Sequence, residues 1–171
     1  MKPEEPRRPR ILVSRCLLGE AVRYDGTDRR APELAVLAGC CDFLPVCPEA
    51  EAGLGVPRPP VQWVESDGLR RLRGAIDSTL DVTDRLAEFC RRHVAALPEI
   101  HGAILKARSP SCAIGSAPLF DAAGHERERI DGLYVQGLRE RWPDLPCIDE
   151  DALADADRRR AFLERVIRST G

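Results

Sequence analysis

Three cysteines stand close behind short apolar runs: Cys16 after Ile11-Leu-Val13, Cys47 directly after Phe43-Leu-Pro-Val46, and Cys112 at the end of the polar loop that follows Gly102-Ala-Ile-Leu105. Thiolates are soft ligands, and three of them without a fourth leave a bound centre with one open position. Such a set suits an iron–sulfur cluster with one open iron or a zinc ion that admits a substrate, and strand-end cysteines also occur as inert packing. Glu49, two residues after Cys47, is a candidate general base, with a solvated loop carboxylate as the plain alternative; Glu51 is a weaker candidate for the same role. Lys106 and Arg108 are able to hold an anionic or carbonyl-bearing substrate. Arg23, Tyr24 and Asp25 form a polar, aromatic loop that can stack on a planar ring, and Ser109 and Ser111 bracket Pro110 as turn formers.

The elements that must position these residues follow from the pattern of the chain. Residues 1 to 9 read as a disordered leader. Strands are expected at 10–14, 42–46, 101–105 and 145–148, and a strand pair at 61–64 and 69–76 around Ser66-Asp-Gly68. Helices are expected from Pro32 to Gly39, from the capping residues Asp81-Val-Thr83 to Leu97, from Asp131 to Trp142, and from Asp151 to Arg168. The stretches 49–60 and 116–130 read as loops. Alternating strands and helices indicate a single α/β domain over residues 10–171, with a mainly parallel sheet and helices on both faces. In such sheets a site forms at the carboxyl ends of the strands. Cys16, Cys47 and Cys112 then lie along one edge, while Cys40 and Cys41 fall at the opposite end and read as core or incidental. Cys90 lies on the apolar face of its helix and Cys147 in the last strand, both as buried thiols.

A net charge of -2 gives no general attraction for nucleic acid. The first ten residues have charges and prolines but no apolar signal core, and no apolar run is long enough to span a membrane, so a cytoplasmic protein is expected. Seven cysteines in a reducing compartment are poor material for a disulfide framework. His93, His101 and His125 show no paired spacing, and no phosphate-cradling glycine loop is present.

Taken together, Ser14-Arg-Cys16-Leu-Leu-Gly19, Val22-Arg-Tyr-Asp-Gly26, Pro45-Val-Cys47-Pro-Glu49, Glu51-Ala-Gly-Leu54, Pro57-Arg58 and Lys106-Ala-Arg-Ser-Pro-Ser-Cys112 closely resemble the short thiouracil desulfidase family, long catalogued as a bacterial domain of unknown function. The resemblance implies a [4Fe–4S] cluster held by Cys16, Cys47 and Cys112, with Glu49 and Ser109 as the catalytic pair. It implies a substrate contact surface made of Ser14, Arg23, Tyr24, Asp25, Arg58, Lys106 and Ser111. The implied substrate is a small thiolated pyrimidine of 2- or 4-thiouracil type, whose sulfur binds the open iron and leaves as hydrosulfide in a hydrolysis without electron transfer. The chain departs from the family pattern at Ala113, where glycine is usual. A non-catalytic iron–sulfur or zinc protein, such as a sulfur carrier or redox sensor, would need the cysteines but not Glu49 or Ser109. A metal-free cysteine hydrolase would need a histidine partner, and no histidine adjoins a motif.

Overall fold

Arg10–Ser14 forms the first strand, β1, and its apolar residues Ile11, Leu12 and Val13 are wholly buried. Successive strand residues point to opposite faces, so a strand that hides all of them lies between two layers. The computed structural model, which describes residues 7–171, shows both layers. β1 pairs in parallel with β2 (Asp42–Val46) and with β5 (Gly102–Leu105), and β5 pairs in parallel with β8 (Cys147–Asp149), which gives the order β2-β1-β5-β8.

One face of this sheet carries Ile11, Val13, Ile104 and Ile148. It is covered by Leu34 and Leu37 of α1 (Glu33–Leu37), Leu153 of α5 (Glu150–Ala154), and Phe162 and Val166 of α6 (Ala156–Arg168). The other face carries Leu12, Val46, Ala103 and Leu105, against Leu86, Cys90 and Val94 of α3 (Thr83–Ala96) and Tyr134, Val135 and Leu138 of α4 (Leu133–Arg141). That second core also receives Trp63, Leu72 and Leu119 from a second sheet, of order β4 (Leu69–Gly74), β3 (Val61–Ser66), β6 (Ala117–Asp121), β7 (Glu126–Ile130). The expected mainly parallel sheet with helices on both faces is therefore present, with a mixed sheet added beyond one helix layer.

Residues 116–130, expected as a loop, form the antiparallel pair β6 and β7. Their sequence hides it: β7 is ERERI and almost wholly exposed, so no apolar alternation marks it as a strand. It is held through β6 and through charge, with Arg70 of β4 meeting both Glu65 and Glu128 across the sheet surface. The single helix expected over 151–168 is two. Asp149 caps α5 through the Ala152 N–H, and Asp155 breaks the run and caps α6 through the Arg158 N–H. A short helix, α2 (Pro48–Glu51), opens the stretch expected as loop over 49–60.

Of the expected leader, residues 1–6 lie outside the described residues. Arg8 pairs with Asp42 at 2.8 Å. Among the described residues no helix is long and apolar enough to cross a membrane.

Gly102 opens β5 beneath α6, where an added Cβ would stand 2.8 Å from Val166 Cγ2 and 3.1 Å from Phe162 Cζ. Gly102→Ala is expected to lower unfolding free energy by about 1 to 3 kcal/mol through overpacking, measured by urea denaturation.

Candidate active site

The three cysteines reach one cavity because β1, β2 and β5 run parallel and end at the same edge. After Ser14 the chain turns into a one-turn 3-10 helix, Arg15–Leu18, which carries Cys16 and ends on Gly19 in the left-handed region. Gly19 donates its N–H back to the Cys16 carbonyl at 3.2 Å, a closure for which glycine is suited. After Val46, Cys47 caps α2 from its extended backbone, and its own N–H donates to Glu51 Oε2 at 2.6 Å. After Leu105 the chain runs through Lys106 into a tight loop whose hub is Ser109. Its hydroxyl oxygen accepts the N–H of Ser111 at 3.2 Å and that of Cys112 at 3.1 Å. Ala113 keeps a φ outside the left-handed region, so alanine is accommodated where the family pattern has glycine.

The cavity has a volume of about 440 Å³, and its wall includes Cys16, Cys47 and Cys112 together with Glu49, Ser109 and Arg58. Ser14, Arg23, Tyr24, Lys106 and Arg108 complete the part of the wall expected from sequence. The thiols sit in surroundings that disfavour their ionised forms. Burial, then the neighbouring Cys47, pushes Cys16 up to about 11, with the Lys106 ammonium pulling the other way. Burial raises Cys47 and drives Cys112 well above the ordinary thiol range, the latter opposed by a hydrogen bond from Ser14. A cationic centre bound by all three would supply the charge that burial and mutual repulsion deny them. Among the described residues no three His, Cys, Asp or Glu side chains stand close enough to share one metal ion. By the chemistry of the donor set, three soft thiols around one cavity fit an iron–sulfur cluster with one open position.

Glu49 is partly buried in the cavity wall, and desolvation raises its pKa above the ordinary carboxylate value, while Arg58 and Ser111 draw it back. Arg58 Nη2 lies 3.6 Å from Glu49 Oε2. The buried guanidinium also donates from Nη1 to the carbonyls of Val22 and Gly55, both at 2.9 Å, so it joins the loop after Cys16 to the loop after α2.

Two of the expected substrate contacts do not face the cavity. Asp25 Oδ1 accepts the N–H and hydroxyl of Thr27 at 3.1 and 2.6 Å, so its carboxylate is occupied in an exposed turn. Ser111 is wholly buried behind the wall, outside the residues that line the cavity. Arg23 donates to Thr27 Oγ1 at 3.2 Å and lies 5.5 Å from the ring centre of Tyr24, a half-exposed rim residue. Lys106 and Arg108 are paired with acids: Lys106 Nζ meets Glu150 Oε1 at 2.5 Å, and Arg108 meets Asp151 at 2.6 Å.

Glu150 was not marked by motif or spacing. Its second oxygen accepts the Ala107 N–H at 2.7 Å, so one carboxylate fixes both the side chain and the backbone at the end of β5. The signal was charge complementarity between neighbouring strand ends, since Leu105 is in register with Asp149 and the basic Lys106 and Arg108 follow one as the acidic Glu150 and Asp151 follow the other. Gly132 is a second residue missed. It packs against the Ser111–Cys112 peptide with no room for a side chain and donates its N–H to the Ala113 carbonyl at 2.8 Å.

A family model described as 2-thiouracil desulfurase matches residues 11–150. The chain is 33% identical over 151 residues to "Uncharacterized protein YbbK" of Bacillus subtilis (strain 168), covering 85% of this chain and 98% of that protein. Among solved structures it is similar to one described as a [4Fe-4S]-dependent thiouracil desulfidase, TudS, with 31% identity and a TM-score of 0.66 over 90% of this chain and 98% of that one.

A Cβ at Gly132 would stand 2.7 Å from the Cys112 nitrogen. Gly132→Ala is expected to displace this loop, lowering stability by about 1 to 3 kcal/mol. Thiol titration of the metal-free protein is expected to show the buried Cys112 reacting faster than in the unaltered chain.

Proposed function

This chain belongs to the 2-thiouracil desulfurase family, and on that premise we propose that it replaces the exocyclic sulfur of a small thiolated pyrimidine, of 2- or 4-thiouracil type, with oxygen. The observation that carries the reading is the placing of Cys16, Cys47 and Cys112 around the cavity that also holds Glu49 and Ser109. The three cysteines would hold a [4Fe–4S] cluster, the group named for the solved relative. When bound, a cluster with three protein ligands supplies a soft Lewis acid suited to a thiocarbonyl sulfur.

The remaining work falls to the side chains. Glu49 is dry enough for its carboxylate to be a stronger base than one in water, and Arg58 holds it in its ionised form. It takes a proton from water as the water oxygen bonds to the ring carbon. Ser109 has its oxygen engaged by two backbone amides, which leaves its O–H as the group it can give. It relays the second proton of the added water toward the ring or the departing sulfur, giving its own proton and taking that one in its place. The C–S bond breaks, sulfur leaves as hydrosulfide, and the base keeps the oxygen; no electrons are exchanged. Tyr24 and Arg23 at the rim offer a flat, cationic surface for a planar ring. Lys106, neutralised by Glu150, shapes the floor between β1 and β5 through the bond of its N–H to Ser14 Oγ at 3.0 Å.

A sulfur carrier or redox sensor would use the same cysteines and leave Glu49 idle. Glu49→Gln is therefore expected to lower turnover of thiouracil about 100- to 10,000-fold while visible cluster absorption is kept. Full turnover by that variant would remove the base assignment. Because the raised pKa must be passed before Glu49 can accept a proton, activity is expected to fall with decreasing pH. The half-maximal point should lie above the ordinary carboxylate range of about 4.3.

A further inference from the structure

Cys40 and Cys41 form a second thiol group at the end of the sheet away from the cavity. They occupy the turn between α1 and β2, with their Sγ atoms 3.7 Å apart. Of the seven cysteines Cys40 alone is exposed, whereas Cys41 closes the core beside Leu34 and Leu37. The backbone presenting them is well held. Cys41 donates its N–H to the Leu37 carbonyl at 2.9 Å, and Arg8 Nη2 donates to the carbonyls of Ala38 and Cys41 at 2.7 and 2.8 Å while pairing with Asp42.

Adjacent cysteines are poorly placed to bond to each other. Their peptide is trans, which sets the Cα atoms about 3.8 Å apart, short of the roughly 4.4 to 6.8 Å usual for a disulfide. One atom placed between the sulfurs removes that conflict. Two bonds of about 2.3 Å meeting at the roughly 90 to 100° of a pyramidal trivalent centre set their sulfurs about 3.3 to 3.5 Å apart, a few tenths of an ångström inside the 3.7 Å found here. Since no three His, Cys, Asp or Glu side chains among the described residues can share a metal ion, the matching ligand is one satisfied by two thiolates.

We propose that Cys40 and Cys41 are a dithiol site for soft, thiophilic atoms that take two sulfur ligands, of which a monosubstituted trivalent arsenical is the type. On capture both S–H bonds and the As=O bond break, two As–S bonds form, and the oxygen leaves with both protons as water; arsenic stays trivalent. The second bond closes within one molecule, so the pair holds the ligand about a hundredfold or more tighter than either thiol alone. The site is separate from the cavity, since β2 stands between Cys41 and Cys47, and it does not rest on the desulfidase reading.

The test is phenylarsine oxide added to the iron–sulfur-loaded protein, followed by challenge with excess monothiol, intact mass and peptide mapping. One phenylarsenic group per chain is expected, retained against monothiol and mapping to the Cys40–Cys41 peptide. Cys40→Ser, a change at an exposed side chain, is expected to weaken capture at least a hundredfold with circular dichroism unchanged. Capture by that variant at full strength, arsenic found only on Cys16, Cys47 or Cys112, or no capture at all would each overturn the proposal.

Discussion

The parallel register of three strands is the constraint on which the site depends. Ser14 lies opposite Val46, and Val13 lies opposite Ile104, so the chain leaves β1, β2 and β5 at one level. Cys16 and Cys47 follow their strands within two residues, and Cys112 follows β5 at the end of the loop pinned by Ser109. The Ser14 hydroxyl ties the strand ends further by accepting the Lys106 N–H, and it also bears on the Cys112 sulfur. Slipping one strand by a residue would send its side chains to the wrong core and carry its cysteine out of the cavity at once.

Around that frame the site resolves a conflict between burial and charge. Thiolates and a carboxylate are needed where water is scarce, and each pays for its desolvation unless a cation stands beside it. Arg58 serves Glu49, and Lys106 bears on Cys16 while held by Glu150. Burial leaves the three thiols with raised pKa values, which is the electrostatic ground for proposing a bound cationic centre among them. Desolvation at the cavity wall raises the thiol pKa values and that of Glu49 alike.

Much of this was legible in the sequence because it rests on local pattern. Gly102-Ala-Ile-Leu105 and Ile11-Leu-Val13 are too short and too apolar for anything but buried strands, and a cysteine followed each. The helix of Leu86, Cys90 and Val94 announced itself by spacing, and its Cys90 is core as expected. β7 escaped because its charged residues carry no burial signal. Glu150 and Gly132 escaped for a different reason: their importance lies in what stands across a gap in space, a lysine at one neighbouring strand end and a peptide at one crowded loop. Asp25 shows the reverse, a motif residue whose carboxylate folds its own turn and does not face the cavity.

The most direct measurement is anaerobic. The protein is reconstituted with iron and sulfide, its iron content and visible absorption are recorded, and 2-thiouracil or 4-thiouracil is added with uracil and free sulfide followed over time. The account requires one cluster per chain that is lost when Cys16, Cys47 or Cys112 is replaced, and uracil formed in step with sulfide without added reductant. A chain that binds no cluster, or that forms uracil at the same rate without one, would contradict it.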